Sequence, residues 1–500
     1  MIVWADAVCI DQSNVAERNI QVQAMTKVYS QAYEVAVWLG PEYEDSSNAL
    51  QWIQQINHLY DLPYGDQKFK EIITDPACLS HLQALVCLFE RSYWSRLWVV
   101  QEVHNAKDLN VYCGSASLPW TCLTQISSIF RLHLNDLTQA FQEKVSVAGY
   151  TWATILSNHG PARLWDIREA SRTGLLPNLI FHRSKACVDA RDKVFGLLGI
   201  LSLYEIPQIV VDYNMSVREV YINVVEHVLR TTGRLDVICA SVHFPWHQSA
   251  EVLPSWVPDW SQTDAQPPIS FLLSSNFNAS GSGGATYSFS CQRRRLKISA
   301  IPIDVVHICG THLSPPRSIN TILIVMFQWR LRLLELVGTG SSNTAAHEAF
   351  CRTLCLDRGR DQISPRDLLE WTYHNFAIAL QEKYPYLALD EQLKSYANIP
   401  MPNSTYFQNL VFEDYFADAM AGRRFFVTSN GLLCLGSGAT RSSDLVCVPL
   451  GCSTPIILRK INEGYKYVGD VYVDGYMYGK AVEEMKTDMP YRQLQSCVLI

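Results

Sequence analysis

Trp94-Ser95-Arg96-Leu97-Trp98-Val99-Val100-Gln101-Glu102-Val103 is the stretch on which the reading of this chain turns. Taken as a helix, it sets Trp94, Trp98 and Glu102 at i, i+4 and i+8, so a carboxylate shares one stripe with two indoles. An acid on an aromatic stripe is either desolvated and paired or stands at the rim of a pocket. Around this stretch the pattern alternates. Residues 2–8 are apolar apart from Asp6 and read as a buried strand, and Asp11-Gln12-Ser13-Asn14 carries turn chemistry. Val22, Met25, Val28, Tyr29 and Ala32 recur at helical spacing, and residues 33–39 form a second strand pattern closed by Gly40-Pro41. Segments 46–59 and 79–89 look helical, and 109–113 is a further strand ended by Gly114. Strands alternating with helices predict an α/β module with a parallel, doubly wound sheet over residues 1–115. In such sheets ligands gather where strands end and helices begin, which puts Cys9-Ile10-Asp11-Gln12 at the ligand edge.

Farther along, residues 116–310 read as mostly helical. They are interrupted by the rigid Leu253-Pro254-Ser255-Trp256-Val257-Pro258-Asp259-Trp260 turn and a strand at 296–308. Residues 311–420 return to helix. In 421–500, short β-rich runs at 424–428, 445–449, 455–459 and 465–472 alternate with turn residues, which predicts a small antiparallel barrel or sheet.

Composition narrows the function classes. Five hundred residues suggest about two to four domains. With 48% apolar and 18% charged residues the chain folds in bulk. A formal charge of −7 argues against nucleic acid as a partner, and Arg293-Arg294-Arg295 reads as a solvated strand end. The 15 cysteines contain no Cys-x-x-Cys, and Pro245 separates His243 from His247, so no metal is expected. Cys351 and Cys355 read as helix packing. Scattered thiols fit a reducing, cytoplasmic setting, where the glycosylation-type triplets at Asn214, Asn278 and Asn403 are chance matches. The apolar run 322–327, soon followed by Arg330 and Arg332, is too short for a membrane span.

Several blocks carry a family resemblance. They are Trp4-x-Asp6-Ala7-x-Cys9-Ile10-Asp11-Gln12, Glu17-Arg18-x-x-Gln21-Val22-x-x-Met25, Trp38-Leu39-Gly40 and Tyr93-Trp94-x-Arg96-x-Trp98-Val99-x-Gln101-Glu102-Val103. Asp189-x-Arg191-Asp192-Lys193-Val194-Phe195-Gly196, Asp212-Tyr213, the 253–260 turn and Gly469-Asp470-Val471-Tyr472-Val473-Asp474-Gly475 follow in order. The chain thereby resembles fungal heterokaryon incompatibility (HET) domain proteins. That resemblance implies nonself recognition and regulated cell death after fusion of unlike hyphae, with self-association or another incompatibility protein as partner. Members usually start with an aromatic-Trp-Gly strand upstream of the first block. Its lack here leads to the expectation of a module missing its first strand, with an opened sheet. More distantly, Trp98-Val99-Val100-Gln101-Glu102-Val103 is similar to the Trp-Cys-x-x-Glu-Leu helix of Toll/interleukin-receptor (TIR) domains, with Val99 in place of Cys. Some TIR domains cleave NAD with that glutamate, so the likeness implies a TIR-like fold and NAD as a substrate.

Two readings stay open at each candidate residue. Glu102 is either a catalytic acid, stabilising an oxocarbenium-like ribose as nicotinamide leaves, or a structural partner of Arg18 or Arg96. Asp6 and Asp11 contact ribose or a cation, or else are a buried hydrogen-bonded acid and a turn residue. Arg18, a cation early in a helix, points to a phosphate or to Glu102 or Asp6. Trp98 is a pocket wall or core. Cys9 is expected to be a small buried residue. The function classes are a death-signalling scaffold acting by self-association, which the missing strand favours, and a TIR-like NAD glycohydrolase using Glu102. A divergent member without death activity is the third.

Overall fold

The computed structural model describes residues 2–141, 144–145, 151–164, 174–201, 209–242, 252–272, 276–314, 318–338, 343–401, 407, 410–487 and 493–500. His243, His247 and Asn403 lie outside them. The chain divides into two compact units, residues 1–220 with 260–264, and 221–259 with 265–500.

In the first unit, β1 (Val35–Trp38), β2 (Leu109–Cys113) and β3 (Ala116–Pro119) form one sheet in that order. β1 runs parallel to β2, with Val35 opposite Leu109 and Trp38 opposite Tyr112. β3 returns antiparallel, turning at Gly114 in the left-handed region (φ 57°). Leu109, Val111 and Cys113 point into the core. Seven helices accompany the sheet up to residue 132: α1 (Asp6–Cys9), α2 (Val15–Gln31), α3 (Ser46–Asn57), α4 (Gly65–Thr74), α5 (Leu79–Phe89), α6 (Val99–Asn105) and α7 (Trp120–Leu132). Asn14 caps α2 by accepting the Glu17 amide.

Two expectations are corrected here. The sheet is three-stranded and mixed rather than wholly parallel and doubly wound. Residues 2–8 are not a strand. Cys9 N donates to Ala5 O (2.8 Å) and Ile10 N to Asp6 O (3.2 Å), closing the single turn of α1. Among the described residues nothing pairs with the free edge of β1. An apolar run with no ladder satisfies its amides locally instead. Ile2 (102%), Val3 (67%) and Val8 (85%) are left exposed, and so is Cys9.

The tryptophan stretch is also not one helix. It begins as a 3₁₀ turn, Ser92–Ser95, and then extends at Arg96. There Ala186 N donates to Ser95 O (2.6 Å) and Leu97 N to Ala186 O (2.8 Å). These β-type bonds divert the chain before α6 starts at Val99. Trp94 therefore leaves the stripe and buries its indole, donating Nε1–H to Leu88 O (2.7 Å). Trp98 and Glu102 keep their helical neighbourhood, with Glu102 N donating to Trp98 O (3.2 Å).

The second unit is a barrel with a helical layer. β5 (Arg295–His312), β6 (Arg423–Thr428), β7 (Leu433–Ser437), β10 (Gly464–Val473), β9 (Ile456–Ile461) and β8 (Leu445–Pro449) pair in that cyclic order and close on β5. β4 (Tyr287–Ser290) and β11 (Gln495–Leu499) add to β5. The β-rich runs expected in the last eighty residues are present, and the sheet also recruits 287–312 from upstream. The register of β5 shifts at Pro302/Asp304, Val306/Ile308 and Cys309/His312, so one long strand bends from β8 to β6. Ile301, Val446, Ile457 and Val471 fill the interior. Outside it pack the capped helices Ile319–Val337, Thr344–Leu354 and Pro365–Lys383, around Trp329, Trp371 and Phe425. Cys351 and Cys355 are buried in that layer, as their spacing suggested. Arg330 is fully buried as well, its Nη2 donating to Asp390 Oδ1 (3.1 Å) and Gln392 Oε1 (2.8 Å).

Candidate functional site

The candidate residues sort around two acids of the first unit. Glu102 lies one turn into α6, partly buried. Tyr93 Oη donates to its Oε2 at 2.9 Å. Burial pushes the Glu102 carboxyl up and the nearby Asp6 charge adds to this, while the Tyr93 hydrogen bond and the Arg96 charge oppose it. The Tyr29 and Tyr93 hydroxyls are raised by the same burial and by the Glu102 charge, so both remain donors. Trp4 meets Tyr29 edge-on at 5.9 Å. Asp6 shares this neighbourhood electrostatically, although its own Oδ1 accepts the Ala7 amide (2.8 Å).

The second acid is Asp192, 5% exposed, at the start of the helix Asp192–Leu198. Trp98 Nε1–H donates to its Oδ2 (3.3 Å), and the Tyr213 hydroxyl donates to Oδ1. Arg18 Nη2 lies 3.6 Å from the same Oδ1 and donates to Asp189 Oδ2 at 3.2 Å. The Arg18 guanidinium lies 3.6 Å from the centre of the Tyr213 ring. Arg191 clasps Asp189 through Nε (2.9 Å) and Nη2 (2.8 Å). Burial raises the Asp192 carboxyl against the Tyr213 hydrogen bond. At Asp189 burial is outweighed by the Arg191 bonds, and that carboxyl is held low.

Arg18 thus pairs with Asp189 and Asp192, not with Glu102 or Asp6 as expected. Trp98 faces Asp192 through its N–H. Asp11 is exposed and belongs to neither group. Its Oδ1 accepts the Ser13 hydroxyl (2.6 Å) and amide (3.0 Å), and these bonds hold its carboxyl low. Sequence reasoning did not place Tyr93, Tyr29, Asp192 or Tyr213 in the site. The available signal was the charged run Asp189-x-Arg191-Asp192-Lys193 set directly before the apolar Val194-Phe195.

Two buried lysines brace the same region. Lys185 Nζ donates to Trp94 O, and Lys193 Nζ to Arg183 O (2.7 Å) and Lys185 O. Burial, with a smaller push from Arg163, lowers Lys185 to about 7. Among the described residues no three His, Cys, Asp or Glu side chains are grouped to hold a metal ion. Chemically, Glu102 can offer a carboxylate to a developing positive charge, whereas Asp192 is already occupied by two donors and the Arg18 charge.

Residues 1–102 match the family model described as Heterokaryon incompatibility protein (HET), and residues 366–491 match the Het-6 beta-barrel domain. Over 96% of its length the chain is 23% identical to Heterokaryon incompatibility protein 6, OR allele, of Neurospora crassa, covering 81% of that protein. No solved structure matches. The first match ends on Glu102 itself, the second spans β6 to β10 of the barrel, and the full-length similarity joins them: the chain carries a HET-domain match and a Het-6 barrel match in the arrangement of an incompatibility protein that it resembles along nearly its whole length.

Proposed function

We propose that this protein acts in the cytoplasm in heterokaryon incompatibility, in nonself recognition that leads to regulated cell death, and that it does so by self-association rather than by chemistry at Glu102. Its similarity to an incompatibility protein supports the process. Fifteen free cysteines suit a reducing compartment. The observation that carries the assembly reading is how the candidate ligand residues are spent. Arg18 and Trp98 are committed to Asp189 and Asp192, and Glu102 to the Tyr93 hydroxyl. Meanwhile Ile2, Val3 and Val8 present apolar surface to solvent, the composition of a protein contact. Val8→Asp should leave the fold intact, because Val8 is exposed, yet reduce self-association in sedimentation equilibrium and reduce killing in a fungal host. Undiminished association and killing by that variant would remove the basis for this surface.

A second reading has one observation in its favour. The Glu102 carboxylate is partly accessible and stands beside two tyrosine hydroxyls and Asp6, so a NAD ribose cation would find a counter-charge there. Release of nicotinamide from NAD by the purified chain, abolished in Glu102→Gln, would establish it. Absence of release would leave assembly as the mechanism.

A further inference from the structure

The second unit contains a cavity of about 330 Å³, far in sequence from Glu102 and unused by either functional reading. That volume falls within the range of small-molecule sites. Its polar wall comes from the turn after the helix Thr344–Leu354, where Leu356 (φ 55°) and Asp357 (φ 57°) are both left-handed. Two successive non-glycine residues in that conformation are strained, so the surrounding packing holds the loop in place.

The arginines of this loop are held in an unusual way. The Arg360 guanidinium lies over the Tyr478 ring, 3.8 Å from its centre, and that of Arg358 lies over the Tyr415 ring at 5.4 Å. The Tyr415 hydroxyl fixes the loop by donating to Arg358 O (2.6 Å). Among the described residues neither guanidinium has a carboxylate within 4.0 Å, whereas Arg352 in the same wall is clasped by Asp474 through two bonds (3.0 and 2.9 Å). Arg358 spends one Nη1–H on Tyr415 O (3.5 Å), and Arg360 bonds the Tyr478 side chain and feels the Asp357 charge, which leaves the remaining N–H groups of the two guanidiniums for a planar or tetrahedral oxyanion. The other acid of the wall, Asp357, accepts the Tyr478 hydroxyl at 3.4 Å, and burial raises its carboxyl. Formal charge over the lining is three arginines against two aspartates, a net +1 in a chain that carries −7. In the same lining, Leu368 and Met477 supply buried apolar surface.

We infer that this cavity is a binding site for a small organic phosphate, with Arg358 and Arg360 gripping the phosphate and the Leu368–Met477 side receiving its apolar body. The inference is independent of how the protein signals. Calorimetric titration of the full chain with AMP and with phenyl phosphate tests it, with adenosine and phenol as uncharged counterparts. The phosphates should bind and the uncharged compounds should not. Arg360→Gln, at an exposed position, should weaken phosphate binding by roughly tenfold, and the Arg358→Gln/Arg360→Gln pair should abolish it while the unfolding midpoint stays near the parent's. Tyr478→Phe, which keeps the stacking ring, should bind nearly as the parent does. No binding of either phosphate at roughly millimolar concentration overturns the inference, as does equal binding by the parent and the double variant.

Discussion

Glu102 and Asp192 are both acids pushed toward their neutral form by burial, yet their surroundings differ in kind. Asp192 is met by a phenol, an indole N–H and a guanidinium that come from widely separated parts of the first unit. Glu102 has one hydroxyl donor from nine residues away, the Arg96 charge nearby without a bond to it, and a carboxylate neighbour in Asp6. The first is a knot that ties α2, α6 and the Asp192–Leu198 helix together, and removing its centre strands two donors and takes one counter-charge from Arg18. The second is a lightly held charge, the kind of side chain that can be exchanged without loss of fold. Burial alone, then, does not separate a structural acid from a catalytic one; the number and origin of its donors does.

The largest effect that tests this contrast is at the knot. Asp192→Ala should cost about 3 kcal/mol in denaturant unfolding, because Tyr213 and Trp98 are left with unmet donors and Arg18, which keeps Asp189, loses one of its two counter-charges. A loss no larger than that of an ordinary surface change would erase the distinction between the two acids.

Next in size is a pH effect on the lysine bracing the tryptophan stretch. Lys185 falls from 10.5 to about 7 on folding, so between those values the unfolded chain binds more protons and folding stability rises with pH. The slope reaches at most about 1.4 kcal/mol per pH unit. Thermal or denaturant unfolding of the parent and Lys185→Met from pH 7 to pH 9 should show the variant's advantage shrinking as pH rises. Parallel curves would mean that Lys185 is charged in the folded state.

Trp98→Phe should cost about 1–2 kcal/mol, since an aromatic ring remains while the N–H to Asp192 and part of the indole's packing are lost. Glu102→Gln should change stability least. A raised folded-state carboxyl costs stability once pH passes above the unfolded value of 4.5, so the variant should match the parent near pH 4 and equal or exceed it at pH 7. A marked loss at pH 7 would make Glu102 a knot like Asp192.

Which parts of this were legible in the sequence follows from range. Strands β6, β8, β9 and β10 of the barrel were, because β-rich runs punctuated by turn residues are local, whereas β7 and β11 were not; Cys351 and Cys355 sit in the helical core as their spacing implied. The turn role of Asp11 was legible for the same reason. The opening strand was misread because residues 2–8 have strand composition, and composition does not supply a neighbouring ladder. The helical stripe failed at Arg96, where pairing with Ala186, ninety residues on, overrides a period that continues undisturbed in the sequence. Arg18 was recognised as a cation needing a partner, but the partner lies 171 residues away. Side-chain identity announces that a charge must be neutralised, and only the fold says by what.

The most direct test of the central claim is cell killing by Glu102→Gln in a fungal host, read beside the parent at matched protein level. The account predicts killing at the parental rate, with no nicotinamide release by either protein. Killing lost in a variant that still folds and associates would contradict it and make Glu102 the working residue.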